Sequence, residues 1–181
     1  MNLIRGARSG VCILLVASIA LVSAGSAEAG PTKGDVEALL AAKEYLSVEA
    51  FSLRGLIAQL DSSVGGQFTL AQATYGAEHA GANWTKEAQR AAKEYLRSQP
   101  FSLKGLIAQL DSSVGGQFTL AQATYGAEHA GANWDHEAYL AAKGYLRTQA
   151  FSLSALIAQL DSPYGDQFTL AQATYGAKKA Y

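Results

Sequence analysis

The chain has 181 residues, with 14 Lys and Arg against 15 Asp and Glu, three His and one Cys. Such a length ordinarily suggests one domain. A near balance of charge leaves no field to hold a nucleic-acid backbone, and a lone cysteine excludes a disulfide framework or a thiolate metal site.

Arg5 and Arg8 precede the apolar run VCILLVASIALVS, and AEA stands before Gly30. A positive end, a short apolar run and a small-x-small pattern predict an export signal over residues 1–29, so the mature chain starts at Gly30. The run of 13 residues is short for a bilayer span, and an uncleaved anchor is the lesser reading. Cys12 lies at the start of that run, away from the place of a lipid-accepting cysteine at its end. The processed protein is therefore expected to carry no thiol, no lipid-modified cysteine and no stable membrane span.

Beyond Gly30 the chain repeats. Phe51 to Trp84 returns as Phe101 to Trp134 with a single change, Arg54 becoming Lys104, and returns more loosely from Phe151. The fixed period of 50 predicts a tandem array with modules at 30–84, 85–134 and 135–181.

The first helix of each module is predicted from apolar residues at helical spacing: Ala38, Ala41, Ala42, Tyr45 and Leu46, and Ala88, Ala91, Ala92, Tyr95 and Leu96. Asp35, Thr85 and Asp135 stand where an N-cap oxygen is wanted, and Glu37, Glu87 and Glu137 follow near the positive helix end. The second helix begins at FSL, with Ser52 as cap, Phe51 and Leu56 as a hydrophobic staple, and Leu53, Leu56, Ile57 and Leu60 as its stripe. DSSVGGQ lacks periodicity and predicts a turn after Asp61. In FTLAQ, Thr69 and Gln72 form a capping box for a third helix whose buried side is read as Leu70, Ala73, Ala77 and Ala80. Gly81 is a natural stop, and Trp84 an anchor for the joint to the next module. About ten large apolar side chains per module, at roughly 2 kcal/mol each, do not offset the cost of ordering the module, so one alone should be marginal and contacts between neighbours should matter.

Chemistry is thin on this scaffold. His79 and His129 follow Glu78 and Glu128, and His136 follows Asp135, but no HxxxH or HExxH spacing and no Gly-x-Ser-x-Gly turn occurs. The histidines read as helix-surface residues, Gly65–Gly66 as a turn without a Walker lysine, and the chain as no enzyme, with no cofactor and no metal. Two short helices joined by a turn suggest a DNA-binding unit, but Gln72, Thr74 and Glu78 give the third helix little positive charge, so no nucleic-acid partner is expected. Tyr45, Tyr95, Tyr145 and Tyr75, Tyr125, Tyr175 are read as completing the core with the hydroxyl at its rim, ahead of a tyrosine-lined ligand groove.

The stretch AAKEYLRSQPFSLKGLIAQLDSSVGGQFTLAQATYGAEHA resembles the repeat of the host cell surface-exposed lipoprotein family, the Ltp-type superinfection exclusion proteins. The pattern falls on Ala42, Lys43, Tyr45, Leu46, Phe51, Ser52, Gly55, Leu56, Ile57, Gln59, Leu60, Phe68, Thr69, Ala73 and Tyr75, and on their counterparts in the other modules, except that Ala155 replaces the glycine of the second helix. The resemblance implies a small all-α tandem protein exposed outside the membrane of a Gram-positive bacterium. It also implies a block to the entry of a second phage's DNA through contact of an acidic helical surface with the phage tape-measure protein.

This chain departs from that pattern in lacking the lipid-accepting cysteine, in having three modules where two are familiar, and in the distribution of charge. Residues 30–84 carry 3 basic and 6 acidic side chains, residues 85–134 carry 5 and 4, and residues 135–181 carry 4 and 4. An acidic binding element would therefore lie on Asp35, Glu37, Glu44, Glu49, Asp61 and Glu78, which a purely structural reading treats as a solvated face. The sequence thus predicts a secreted or cell-surface protein of three tandem three-helix modules. Its partner would be a phage tape-measure protein or, in the alternative of an envelope structural or adhesion protein, a cell-envelope component.

Overall fold

The computed structural model describes residues 30–181, and the export signal expected over 1–29 lies outside them. As the sequence predicts, the described residues form nine helices in three tandem three-helix modules: α1 (Lys33–Val48), α2 (Leu53–Asp61) and α3 (Leu70–His79); α4 (Trp84–Ser98), α5 (Leu103–Asp111) and α6 (Leu120–Glu128); α7 (Trp134–Thr148), α8 (Leu153–Asp161) and α9 (Leu170–Ala180).

Side-chain caps fix where these helices begin. Ser52 Oγ accepts from the Gly55 amide at 2.9 Å. Thr69 and Gln72 close the expected capping box, repeated at Thr119 and Thr169. The first helix of each module starts earlier than the sequence suggested, because Thr32, Asn83 and Asn133 take the cap in place of Asp35, Thr85 and Asp135. Asn83 Oδ1 accepts from the Lys86 amide at 3.1 Å, which draws Trp84 into the first helical position. Asp35 instead answers Thr32 from the third position, accepting from its backbone amide at 2.7 Å.

Within a module the first and third helices meet backbone to backbone. A methyl group added at Gly76, Gly126 or Gly176 would stand 2.5 to 2.6 Å from the carbonyl carbon of Ala38, Ala88 or Ala138, nearer than atoms can pack. Ala73, Gly76 and Ala77 are the buried side of α3. Leu70, expected to share it, is 61% exposed, since it occupies the first helical position and so lies ahead of the face that α1 covers. The second helix closes each core with two fully buried leucines: Leu56 and Leu60, Leu106 and Leu110, Leu156 and Leu160.

The turn after the second helix follows one plan, with the amides of Gln67 and Phe68 reaching back to Ser62 and Leu60 carbonyls at 3.1 and 3.0 Å. Its left-handed residue is Gln67 (φ 55), as are Gln117 and Gln167, not the adjacent glycines. Those glycines serve proximity: a methyl at Gly66 would stand 2.6 Å from the Leu60 carbonyl oxygen. Module three has Asp166 there. The 3.1 Å bond from the Gly66 amide to the Gln59 carbonyl and its 3.0 Å counterpart at Gly116 have no equivalent at Asp166, whose side chain needs the space.

Gly126→Ala should cost roughly 1–3 kcal/mol by overpacking, because rigid backbone faces the new methyl. Gly144→Ala, with nothing within 4 Å of the added atom in α7, should stabilise by about 0.5–1 kcal/mol. Thermal melts of the two variants should move in opposite directions; a parallel shift would contradict this packing.

Candidate functional site

Two kinds of surface can hold a partner here: the seams between modules and the face left at the end of the row. Both are built from the same repeat positions, and the structure shows what each position does when a neighbour covers it.

At the first seam, Trp84 opens α4 but packs on the core of module one, while Ala50 of module one packs on that of module two. Trp134 does the same one period later, so the expected anchor is in place. Arg90 Nη1 donates to the Leu46 carbonyl at 2.6 Å and pairs with Glu87 and Glu94 at 3.5 and 3.3 Å. Burial pushes the Glu87 carboxyl above the usual carboxylate range, against the pull of Arg90.

At the second seam Leu140 stands in place of Arg90. Glu137, only 9% exposed, is left without that cation, and Oε2 has no hydrogen-bond partner. Burial raises its pKa, with the Phe101 backbone amide opposing. Ser102 Oγ donates to the Asp166 carbonyl across the seam. The Asp166 carboxyl is likewise raised by burial, against a hydrogen bond with Tyr145. Sequence reasoning missed this group because helical spacing does not show which charged position faces the next module. The pairing of Glu87 with Arg90 at i and i+3, lost at Glu137 and Leu140, was the available signal.

The structure disperses the six candidate acidic residues. Asp35 is engaged in the α1 cap. Glu37, Glu44 and Glu49 are exposed, and the last two rim a concavity with Ala41, Tyr45, Val48, Gly66 and Phe68. Asp61 ends α2 and Glu78 lies in the last turn of α3, both exposed, and neither lines that concavity.

His79 and His129 are exposed, stacked on Tyr75 and Tyr125 with ring centres 4.0 and 3.9 Å apart, each with Nδ1 2.8 Å from that tyrosine's carbonyl oxygen. In module three Lys179 takes the position, donating to the Tyr175 hydroxyl at 3.0 Å and lying over the Tyr139 ring at 5.0 Å. The third-helix tyrosines, half-buried at Tyr75 and Tyr125 and exposed at Tyr175, thus serve as platforms for these side chains and lie outside the core clusters. The first-helix tyrosines fit the expected rim position, Tyr95 and Tyr145 hydroxyls accepting from Gln109 and Gln159 at 3.4 and 3.1 Å. Among the described residues no group of three or more His, Cys, Asp or Glu is placed to hold a metal, and no helix is long and apolar enough to cross a membrane.

A family model described as host cell surface-exposed lipoprotein matches residues 35–79, 83–129 and 133–179. Among solved structures the chain is similar to Ltp, a superinfection exclusion protein from the Streptococcus thermophilus temperate phage TP-J34. The two are 28% identical with a TM-score of 0.50, over 54% of this chain and 96% of that one. No curated protein matches.

Because burial raises the pKa of Glu137 from an ordinary 4.5, its contribution to stability is fully present below that pH and is lost as pH rises through the folded value. Glu137→Gln, which keeps an acceptor for the Phe101 amide, should therefore match the parent at low pH and melt higher than it at neutral pH. A melting difference independent of pH would contradict the assignment.

Proposed function

The chain belongs to the host cell surface-exposed lipoprotein family, and from that premise we propose that it acts outside the membrane as a superinfection exclusion protein. It is a non-catalytic binder that engages a phage tail protein of the tape-measure kind and so keeps the DNA of a second phage from entering. The observation that carries this reading is the likeness to Ltp, which extends over nearly all of that protein's length. Export by residues 1–29 would deliver it to the surface, and with Cys12 inside that segment the mature chain would be secreted or retained there without a lipid.

The binding element we assign is the acidic side chains of module one, centred on Glu44 and Glu49 at the rim of the concavity, with Glu37, Asp61 and Glu78 outside it. Glu37, Glu44, Glu49, Asp61 and Glu78 are all exposed and free to meet a basic partner, whereas Asp35 is held in its cap. Charges at the rim of such an interface act mainly on the rate and selectivity of encounter.

Plaque formation and phage DNA entry should be compared in cells expressing the full chain and cells expressing residues 30–181 alone. Loss of DNA entry with normal adsorption, seen only with the exported form, is expected. No change across a broad phage panel would overturn the reading and favour an envelope structural or adhesion role. Reversal of Glu44 and Glu49 to Lys should weaken exclusion at least about tenfold, equivalent to about 1.4 kcal/mol of binding, with the melting temperature unchanged. Full exclusion by that variant would remove these two carboxylates from the binding element.

A further inference from the structure

We propose that the two ends of the module row fit each other, so that the chain associates head to tail with second copies of itself. The seam between modules is heterologous: the face of one module around its second helix meets the turn and first helix of the next. One half of that seam stands uncovered on module one, and the other half on module three.

The same positions show the change. Phe118 and Phe168, each under a preceding module, are 3% and 2% exposed, whereas Phe68 is only half-buried. Ala91 and Ala141 are buried where Ala41 is not. At the other end, Ser52 and Ser102 are 2% exposed under their following modules, and Ser152 is exposed, with its hydroxyl turned to Ser154 at 3.2 Å.

Terminal modules of an array that must stay single normally carry a polar outer face. Module one keeps Glu44 and Glu49 at the rim of that face but is more apolar within it: Val48, 78% exposed, stands where the seams have Ser98 and Thr148. Leu40, 57% exposed, matches Leu140, which lines the second seam and is 38% exposed there. The opposing face of module three is compatible. A methyl at Gly55 or Gly105 would lie 3.9 or 3.5 Å from the next module's turn carbonyl, an ordinary contact, so Ala155 leaves room for a neighbour. Gln149 replaces the acidic Glu49 of module one, so no like charge faces Glu44 there.

Two features make the copy seam weaker than the internal ones. Gly34 occupies the repeat position of Trp84 and Trp134, and no covalent tether raises the local concentration, which a short linker sets at the millimolar level. Association is therefore expected only where the protein is concentrated. Heterologous contacts that do not close into a ring grow as rods, in which Glu44 and Glu49 stay accessible on the leading copy alone.

The test is sedimentation of residues 30–181, of which Pro31–Tyr181 form one compact unit, up to about 1 mM, with Ala41→Arg and Ala155→Arg variants whose folding is checked by circular dichroism. The parent should show mass rising with concentration in steps of one chain. Each variant alone should stay monomeric, and an equimolar mixture should form 1:1 dimers and stop there, because each retains the half the other lacks. A parent that is monomeric throughout, or variants that associate as the parent does, would overturn the proposal. So would amide protection of the Phe68 region in the full chain but not in residues 30–181, which would assign that face to the leading segment.

Discussion

In each module a glycine of the third helix lies so close to an alanine of the first that the two backbones touch, at Gly76 and Ala38, Gly126 and Ala88, Gly176 and Ala138. Close approach of this kind gains dispersion contact along the whole crossing but leaves room for little except alanine around it. The cores accordingly hold two leucines and a set of alanines as their fully buried apolar residues. Such a core removes limited apolar area from water, which is why a module draws on its neighbours: Trp84 and Trp134, carried on the first helix of the following three-helix unit, complete the cores of modules one and two, and Ala50 of module one packs on that of module two.

Stacking then makes position within the row, and not residue type alone, decide environment. Ser52, Ser102 and Ser152 cap equivalent helices, yet the first two are sealed beneath a neighbour and the third meets water. Glu37, Glu87 and Glu137 are the same residue in the same place, and one is solvated, one shares an arginine, and one is buried without a cation. The chain thus varies its joints with very few substitutions. Leu140 for the Arg90 position and Asp166 for a glycine are enough to make the second seam chemically unlike the first.

The modular all-α plan was legible because period, capping boxes and apolar spacing all pointed the same way at Ser52, Thr69 and their counterparts. Misreadings came where a local rule had two candidates. Thr32 and Asp35 are both plausible caps, and only the reciprocal bond decides between them. Leu70 looks like core by spacing, and its place at the start of a helix decides otherwise. The acidic candidates could be named from charge balance, but their dispersal over a helix cap, an open face and two helix ends depends on packing that no local pattern records. Tyr75 and His79 are four residues apart on a helix, so their stacking is legible from spacing, whereas recurrence alone does not separate a platform tyrosine from a core one.

From Phe51 to Trp84 module one differs from module two only at Arg54, so the second-helix faces of these two modules are almost interchangeable, and side-chain chemistry on that half of the seam would not stop module three from settling on module one. The link between α3 and α4 is four residues and that between α6 and α7 five, a reach of no more than about 18 Å. Brevity of the tether, more than recognition, therefore keeps the modules in order. Lengthening either link would release that proofreading and expose the chain to out-of-order and swapped assemblies, the characteristic misfolding route of repeat proteins.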